Sequence, residues 1–350
     1  MVGLRGVGKT VLLGRAELMA EKSGYVTLMI ECVDNKRLEM ILIPALRSML
    51  FKLDRMEGVS EKVRYGLRVL QGFMSRVKLK YGEVELSLDG PPEVGVADSG
   101  DLQADLPELM TAIGQAAASR DAAVLLIFDE MQYLATSELS ALIITLHKMA
   151  QKQLPVTMIG AGLPPLLGKM GESRSYAERL FDYPRVGPLD RKGVENAIQV
   201  PIEKARAYIE RRAIDHIFKV TEGYPYFVQE WGYHAWNCAK GANIEMRAAQ
   251  NADSAARKSL DEGFFSVRFD RLTPKEREYL RAMAFFGSAA VKSGKIAVAM
   301  GQSVQSVGSI RTGLISKGMV YSPTYGDTAF TVPLFDQFLR RKIPDWKSKG

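Results

Sequence analysis

The chain has 350 residues, enough for two or three domains with buried cores. Hydrophobic residues make up 47% and charged residues 25%, an ordinary globular balance that excludes a disordered or fibrous chain. No apolar run is long enough to cross a bilayer and no signal peptide is visible, so no membrane role is expected; the net charge is +7.

The chain opens on a phosphate-binding pattern. Gly3-Leu4-Arg5-Gly6-Val7-Gly8-Lys9-Thr10 fits G-x-x-x-x-G-K-[ST] without a gap, and Val11 continues it. In such a loop the glycines let backbone N–H groups turn toward phosphate. Lys9 reaches the β- and γ-phosphates and the Thr10 hydroxyl ligates Mg²⁺. A helix over about Lys9–Ser23 would point its positive end at the same anion. Only Met1 and Val2 precede Gly3, so the buried strand that normally leads into such a loop is essentially missing. Two readings follow: the true chain starts upstream, or the protein lacks this strand and holds nucleotide poorly. The intact remainder of the site favours the first.

The next elements alternate. Tyr25–Val33 reads as a buried strand, Asn35–Asp54 as a helix that Pro44 would kink, and Ser60–Leu79 as a second helix. Val84–Leu88 alternates like one arm of a hairpin. Pro91–Gly100 reads as a loop and Asp101–Arg120 as a helix. Ala122–Phe128 is continuously apolar, as expected of a strand buried on both faces, and ends in Asp129-Glu130 about 120 residues after the loop. There Asp129 would hold Mg²⁺, and Glu130 would polarise an attacking water as the catalytic group alongside Lys9. The alternative is an ordinary solvated acidic pair.

A helix over Ser137–Gln153, a strand over Val156–Gly162, a helix carrying Arg174 and Arg179, and a short strand at Tyr183–Val186 complete an α/β pattern. Residues 191–240 read as helical throughout, broken only at Glu222-Gly223-Tyr224-Pro225, and suit a small helical lid. Asn243–Lys258 reads as a connecting helix. Cys32 and Cys238 are too few for a disulfide framework, which fits a reducing cytoplasm. His147, His216 and His234 lack metal-ligand spacing.

The last segment differs. Residues 262–350 hold 14 Lys/Arg and 7 Asp/Glu, whereas the preceding 261 residues are neutral. Thr273-Pro274-Lys275-Glu276 is a helix start. Short helices are expected near Gly294–Met300 and Gln302–Lys317, the latter with Val304, Val307, Ile310, Leu314 and Ile315 facing inward. Strands at Gly318–Tyr321 and Thr328–Val332 and a closing helix over Pro333–Lys342 make the pattern of a winged helix-turn-helix. Ser303, Gln305, Ser306, Ser309 and Arg311 would form the outward, DNA-contacting face. Protein contacts through the same module are the competing reading.

The loop, the Leu-Leu-Ile-Phe-Asp-Glu strand, the helical stretch and the C-terminal pattern together resemble AAA+ ATPases of the origin-recognition/Cdc6-like branch and the related archaeal-type STAND ATPases. The resemblance implies a P-loop NTPase three-layer α/β core at residues 1–188, a helical lid at 189–258 and a winged helix at 262–345. It implies ATP and Mg²⁺ as ligands, with double-stranded DNA, a protein partner or self-association to follow. Gly223-Tyr224-Pro225 is similar to the Gly-x-Pro turn that STAND-type lids place near adenine, so Tyr224 and Pro225 join the implied nucleotide contacts; a plain helix-breaking turn is the alternative. Gly160-Ala161-Gly162 stands where many AAA+ proteins carry a polar residue, and Thr157 lies too early to replace it. Arg174, Arg179 and Arg185 are candidate arginine fingers against a solvated or ion-paired reading. These departures imply a slow nucleotide switch rather than fast hydrolysis, or, with the first strand missing, a relic that no longer hydrolyses.

Overall fold

The computed structural model describes residues 1–55, 60–81, 91–175 and 177–350. The expected hairpin arm at 84–88 lies outside the described residues. The chain divides into two compact units: Met1–Gly3 with Lys9–Arg185, and Leu4–Gly8 with Val186–Gly350.

The first unit runs α1 (Lys9–Lys22), β1 (Tyr25–Glu31), α2 (Leu38–Asp54), α3 (Glu61–Tyr81), α4 (Leu102–Ala118), β2 (Ala123–Asp129), α5 (Thr136–Gln151), β3 (Val156–Gly160), α6 (Pro165–Ser173) and α7 (Ala177–Leu180). The three strands form one parallel sheet in the order β1-β2-β3. Burial of β2 on both sides explains its unbroken apolar sequence. Val124, Leu126 and Phe128 enter a large core with residues of α2 to α5, while Leu125 and Ile127 meet Leu13 of α1 in a smaller one. Alternation along the strand thus feeds two helical layers, and the unit is a three-layer α/β sandwich.

Most elements expected from the sequence are present, with informative departures. The second helix begins at Leu38 rather than Asn35, because Asn35 takes a left-handed backbone (φ 64°). Pro44 and Pro107 sit inside helices, and Asp101 caps α4 by accepting from the Gln103 N–H at 3.0 Å. The expected helix across Arg174 and Arg179 is two short pieces, with Arg174 extended between them. The expected strand at Tyr183–Val186 is reduced to an isolated parallel bridge of Arg185 with Val2, which also bridges Gly162.

The second unit runs α8 (Arg191–Lys204), β4 (Tyr208–Ile209), α9 (Arg211–Thr221), α10 (Pro225–Cys238), β5 (Asn243–Ile244), α11 (Met246–Ser259), α12 (Ser266–Asp270), α13 (Pro274–Phe285), β6 (Val291–Lys292), α14 (Ser293–Met300), α15 (Val304–Ser316), β7 (Val320–Tyr321), β8 (Asp327–Phe330) and α16 (Phe335–Lys342). The stretch 191–240 is therefore not wholly helical, since β4 pairs in parallel with β5. Between α11 and α12 the helix widens into a π-type turn at Leu260–Phe265. Thr273 caps α13 in a reciprocal box with Glu276, as its sequence announces. In α15 Val307 and Leu314 are buried, but Val304 is 57% exposed, against the expectation that it faces inward. Ser303 caps that helix, so Val304 occupies its first turn.

An aromatic cluster fills the middle of this unit. Phe265 lies 5.3 Å from Phe264, 5.3 Å from Phe338, 5.6 Å from Phe335 and 6.0 Å from Phe227, ring centre to ring centre. Replacing Phe265 by Ala is expected to cost about 3–5 kcal/mol of stability, read as a lowered urea midpoint. A loss below about 1 kcal/mol would mean that the cluster does not hold this unit together.

Candidate functional site

In the first unit the loop root and the end of β2 meet. Gly3 donates its N–H to Gly162 O at 3.2 Å, and Lys9 is buried with its Nζ donating to Gly3 O at 3.0 Å. The Thr10 hydroxyl donates to Asp129 Oδ2 at 2.5 Å. Asp129 is buried, and its other oxygen accepts the Glu130 N–H at 2.8 Å. Helix α1 begins at Lys9, so the amides of its first turn emerge beside this cluster. The hydroxyl and carboxylate that the sequence assigned to a magnesium ion thus adjoin. A hard divalent cation takes such oxygen donors, so the residues fit the ion.

Two carboxylates are presented differently. Asp129 ends the strand, whereas Glu130 bends out of it with a left-handed backbone, φ 55° and ψ 36°. Its side chain accepts a hydrogen bond from Gln132 Nε2. Gly160 and Gly162 leave space at the end of β3: a Cβ at Gly160 would fall 2.2 Å from Met131 Sδ, and one at Gly162 would fall 2.7 Å from a methyl of Leu166 and 3.1 Å from Gln132 Oε1. Thr157 is exposed on β3. Arg174 is engaged inside the unit, donating to Ser140 Oγ at 2.7 Å and Gln103 Oε1 at 2.8 Å.

The tip of the loop, Leu4–Gly8, belongs to the second unit. Gly6 and Gly8 have φ of 82° and 89°, a conformation side chains disfavour, which accounts for glycine at both. The Tyr224 hydroxyl donates to Arg5 O, the Tyr226 N–H to Gly6 O at 3.3 Å, and the Arg5 N–H to Thr331 O at 3.3 Å. Gly223 accepts the Leu189 N–H at 2.8 Å with φ of 71°; a Cβ there would fall 2.1 Å from Leu189 O. That turn delivers Tyr224 to the loop and starts α10 at Pro225. Burial raises the Tyr224 phenol above its ordinary range. Arg268 stacks over Phe264 at 3.9 Å; burial, and then the Arg5 charge, lower its pKa. Val7 packs in this unit's core.

The expected outward face of α15 is largely self-engaged. Ser303 accepts the Ser306 N–H at 3.2 Å, Ser306 donates to Gln302 at 2.9 Å, and Ser309 donates to Ser306 O at 3.3 Å. Arg311 donates to Thr328 Oγ1 at 2.9 Å, Ser322 Oγ at 2.7 Å and Asp327 O at 3.2 Å. Gln305 is exposed. Tyr226, Thr331 and Gln132 were not singled out by the sequence. Tyr226 and Thr331 act through backbone groups, which carry no residue signature, and Gln132 follows Glu130 by two positions.

Within the first unit the arrangement is thus a Thr–Asp pair beside a buried lysine, at the end of a parallel strand. In its fold the chain resembles the Walker-type ATPase PABY2304 of Pyrococcus abyssi, at a TM-score of 0.52 and 16% identity over 97% of this chain and 89% of that one. The chain has a P-loop NTPase fold. Weaker likenesses, both at a TM-score of 0.43, are to the Orc1 protein of Aeropyrum pernix in complex with DNA (14% identity, 97% and 85% covered) and to Cdc6p of Pyrobaculum aerophilum (13%, 98% and 86%). Residues 262–339 match a domain of unknown function, DUF8462. No curated protein matches the chain in sequence. Among the described residues no helix is long and apolar enough to cross a membrane, and no cluster of His, Cys, Asp and Glu is arranged to hold a metal ion.

Cys32 lies beside the site, its N–H donating to Asp129 O at 3.0 Å. Burial, and then the charges of Glu138, Asp129, Glu130 and Glu31, push its thiol up to about 12. The thiolate is therefore scarce at any pH below that value. At pH 8 a thiol reagent should modify Cys238 in the native protein and reach Cys32 only on unfolding. Equal labelling of both in the native state would contradict this burial.

Proposed function

We propose that this protein binds Mg-ATP at Gly3–Val11, with Tyr224 and Pro225 flanking the base, hydrolyses it slowly, and uses the nucleotide state to control a C-terminal module that binds double-stranded DNA. The observation that carries the nucleotide reading is the Thr10–Asp129 hydrogen bond beside buried Lys9, at the start of α1. Lys9 neutralises charge on the outer phosphates, and Thr10 and Asp129 would hold Mg²⁺, which when bound would supply charge stabilisation at the phosphoryl group. Glu130 orients the attacking water and takes its proton. Adenine rather than guanine rests on the family resemblance.

Regulation follows from the loop's attachments. The amide of Arg5 is bonded to the carbonyl of Thr331, one residue past β8. A phosphate that draws the loop's amides toward itself competes with that bond. In this reading the C-terminal module, a winged helix of α13 to α16 with its β6-β8-β7 sheet, answers to what the loop holds. Its excess of seven positive charges over 262–350 favours a polyanion. A second reading, in which the module contacts protein as in a signalling or scaffold ATPase or in self-association, draws support from Arg311, whose guanidinium is bonded to its own β-hairpin, and from exposed Val298 and Val304. We assign the protein to the cytoplasm from its two unpaired cysteines.

Lys9→Ala is expected to weaken Mg-ATP binding by about 1.5–3 kcal/mol, roughly 10- to 150-fold, in a fluorescent-nucleotide titration. Glu130→Gln should keep that affinity and lose about 10²-fold or more of turnover. Unchanged affinity in the first variant would remove the loop assignment; unchanged turnover in the second would remove the role of Glu130.

Titration of the full chain with duplex DNA, with and without Mg-ATP at two salt concentrations, separates the two readings. Affinity that falls with salt and shifts with ATP is the expected result. Absence of binding in both nucleotide states would leave protein contact as the function of residues 262–345.

A further inference from the structure

Glu130 stands in the left-handed region, a position that side-chain-bearing residues disfavour and that persists only where neighbours hold it. The turn after it is tied down. Met131 N–H donates to Ala161 O at 3.0 Å, and Lys169 Nζ donates to the carbonyls of Gln132 at 2.7 Å and Leu134 at 3.1 Å. Within that turn the Gln132 side chain has one allowed orientation. Its Oε1 accepts the backbone N–H of Leu163 at 2.9 Å, and a backbone N–H can only donate. The opposite end of the amide is therefore Nε2, a pure donor, and it meets the Glu130 carboxylate.

The bare end of β3 permits this. Gly162 has no Cβ to meet Gln132 Oε1, and Gly160 none to meet Met131. Two missing side chains, at the end of β3 and just past it, make room for the two residues that follow Glu130 in the turn after β2. The amide of Gln132 thus links the ends of β2 and β3 through Glu130 on one side and Leu163 on the other.

We propose that Gln132 is a positioning residue for hydrolysis: by donating to Glu130 it holds that carboxylate in the one direction from which it can orient water. The inference rests on the reading of Glu130 given above. It assigns to the chain a contributor to turnover that does not itself touch the nucleotide.

The test is a cycle of full-length variants: wild type, Gln132→Leu, Glu130→Gln and the double variant. Turnover is followed with radiolabelled ATP, affinity by fluorescent-nucleotide titration, and folding by thermal melting. A side chain acting through Glu130 gives a non-additive pair. Gln132→Leu should lower kcat about tenfold with KM within about twofold, and should change the residual rate of Glu130→Gln by less than about twofold. Gln132→Glu keeps the length but removes the donor and should show the same kcat loss; it stands in if the leucine variant does not fold.

A Gln132→Leu rate within twofold of wild type overturns the proposal. So does a full tenfold loss on top of Glu130→Gln, or a kcat loss matched by lost affinity, each of which marks a merely structural side chain. If the wild type binds Mg-ATP without turning it over, both this role and the hydrolytic reading fall. If only the Gln132 variants behave as wild type, the hydrolytic reading stands.

Discussion

The buried carboxylate of Asp129 ties together the candidate site of the first unit. Charge taken out of water is costly unless hydrogen bonds replace the lost hydration. Asp129 meets that demand with one oxygen on the Thr10 hydroxyl and the other on the Glu130 amide. The first bond ties the start of α1 to the end of β2. The second supports the left-handed bend that carries Glu130 out of the strand. The same atoms that satisfy the buried charge therefore set the geometry of the candidate chemistry.

The loop tip obeys a separate constraint. A phosphate loop needs backbone amides turned inward, which leaves carbonyls to be satisfied elsewhere. Here the Arg5 carbonyl takes the Tyr224 hydroxyl and the Gly6 carbonyl takes the Tyr226 amide. The turn that supplies both tolerates only glycine at 223, because Leu189 O occupies the space of a side chain. The Gly-Tyr-Pro tripeptide is thus a shaped support for the loop as well as a break between α9 and α10.

Charge in the C-terminal segment is partly spent inside it. Lys292 pairs with Asp327, Lys317 with Glu276, Arg340 with Asp336 and Lys349 with Glu278. Glu276 and Asp336 are buried, whereas Lys292–Asp327 and Lys349–Glu278 lie nearer the surface, where such pairs add little stability and are weakened by salt. What they change is the field: a basic composition is not the same as a basic face. This is why salt dependence, rather than net charge, bears on what the module meets.

The sequence alone determined the loop, the Asp129-Glu130 strand and the alternation of elements, because each rests on local requirements. Glycines at fixed spacing, a continuous apolar run and the Thr273–Glu276 cap are legible from neighbours in the chain. The two-residue strand at Tyr208, the break at Arg174 and the exposure of Val304 were not, because pairing partners and burial come from residues far along the chain. The same holds for the site. Lys9, Thr10, Asp129 and Glu130 could be named from their motifs. That Gln132 attends Glu130, and that Thr331 and Tyr226 hold the backbone of Arg5 and Gly6, was decided by tertiary structure, since a backbone amide or a glycine's empty space acquires meaning only from the atom that folding brings opposite it.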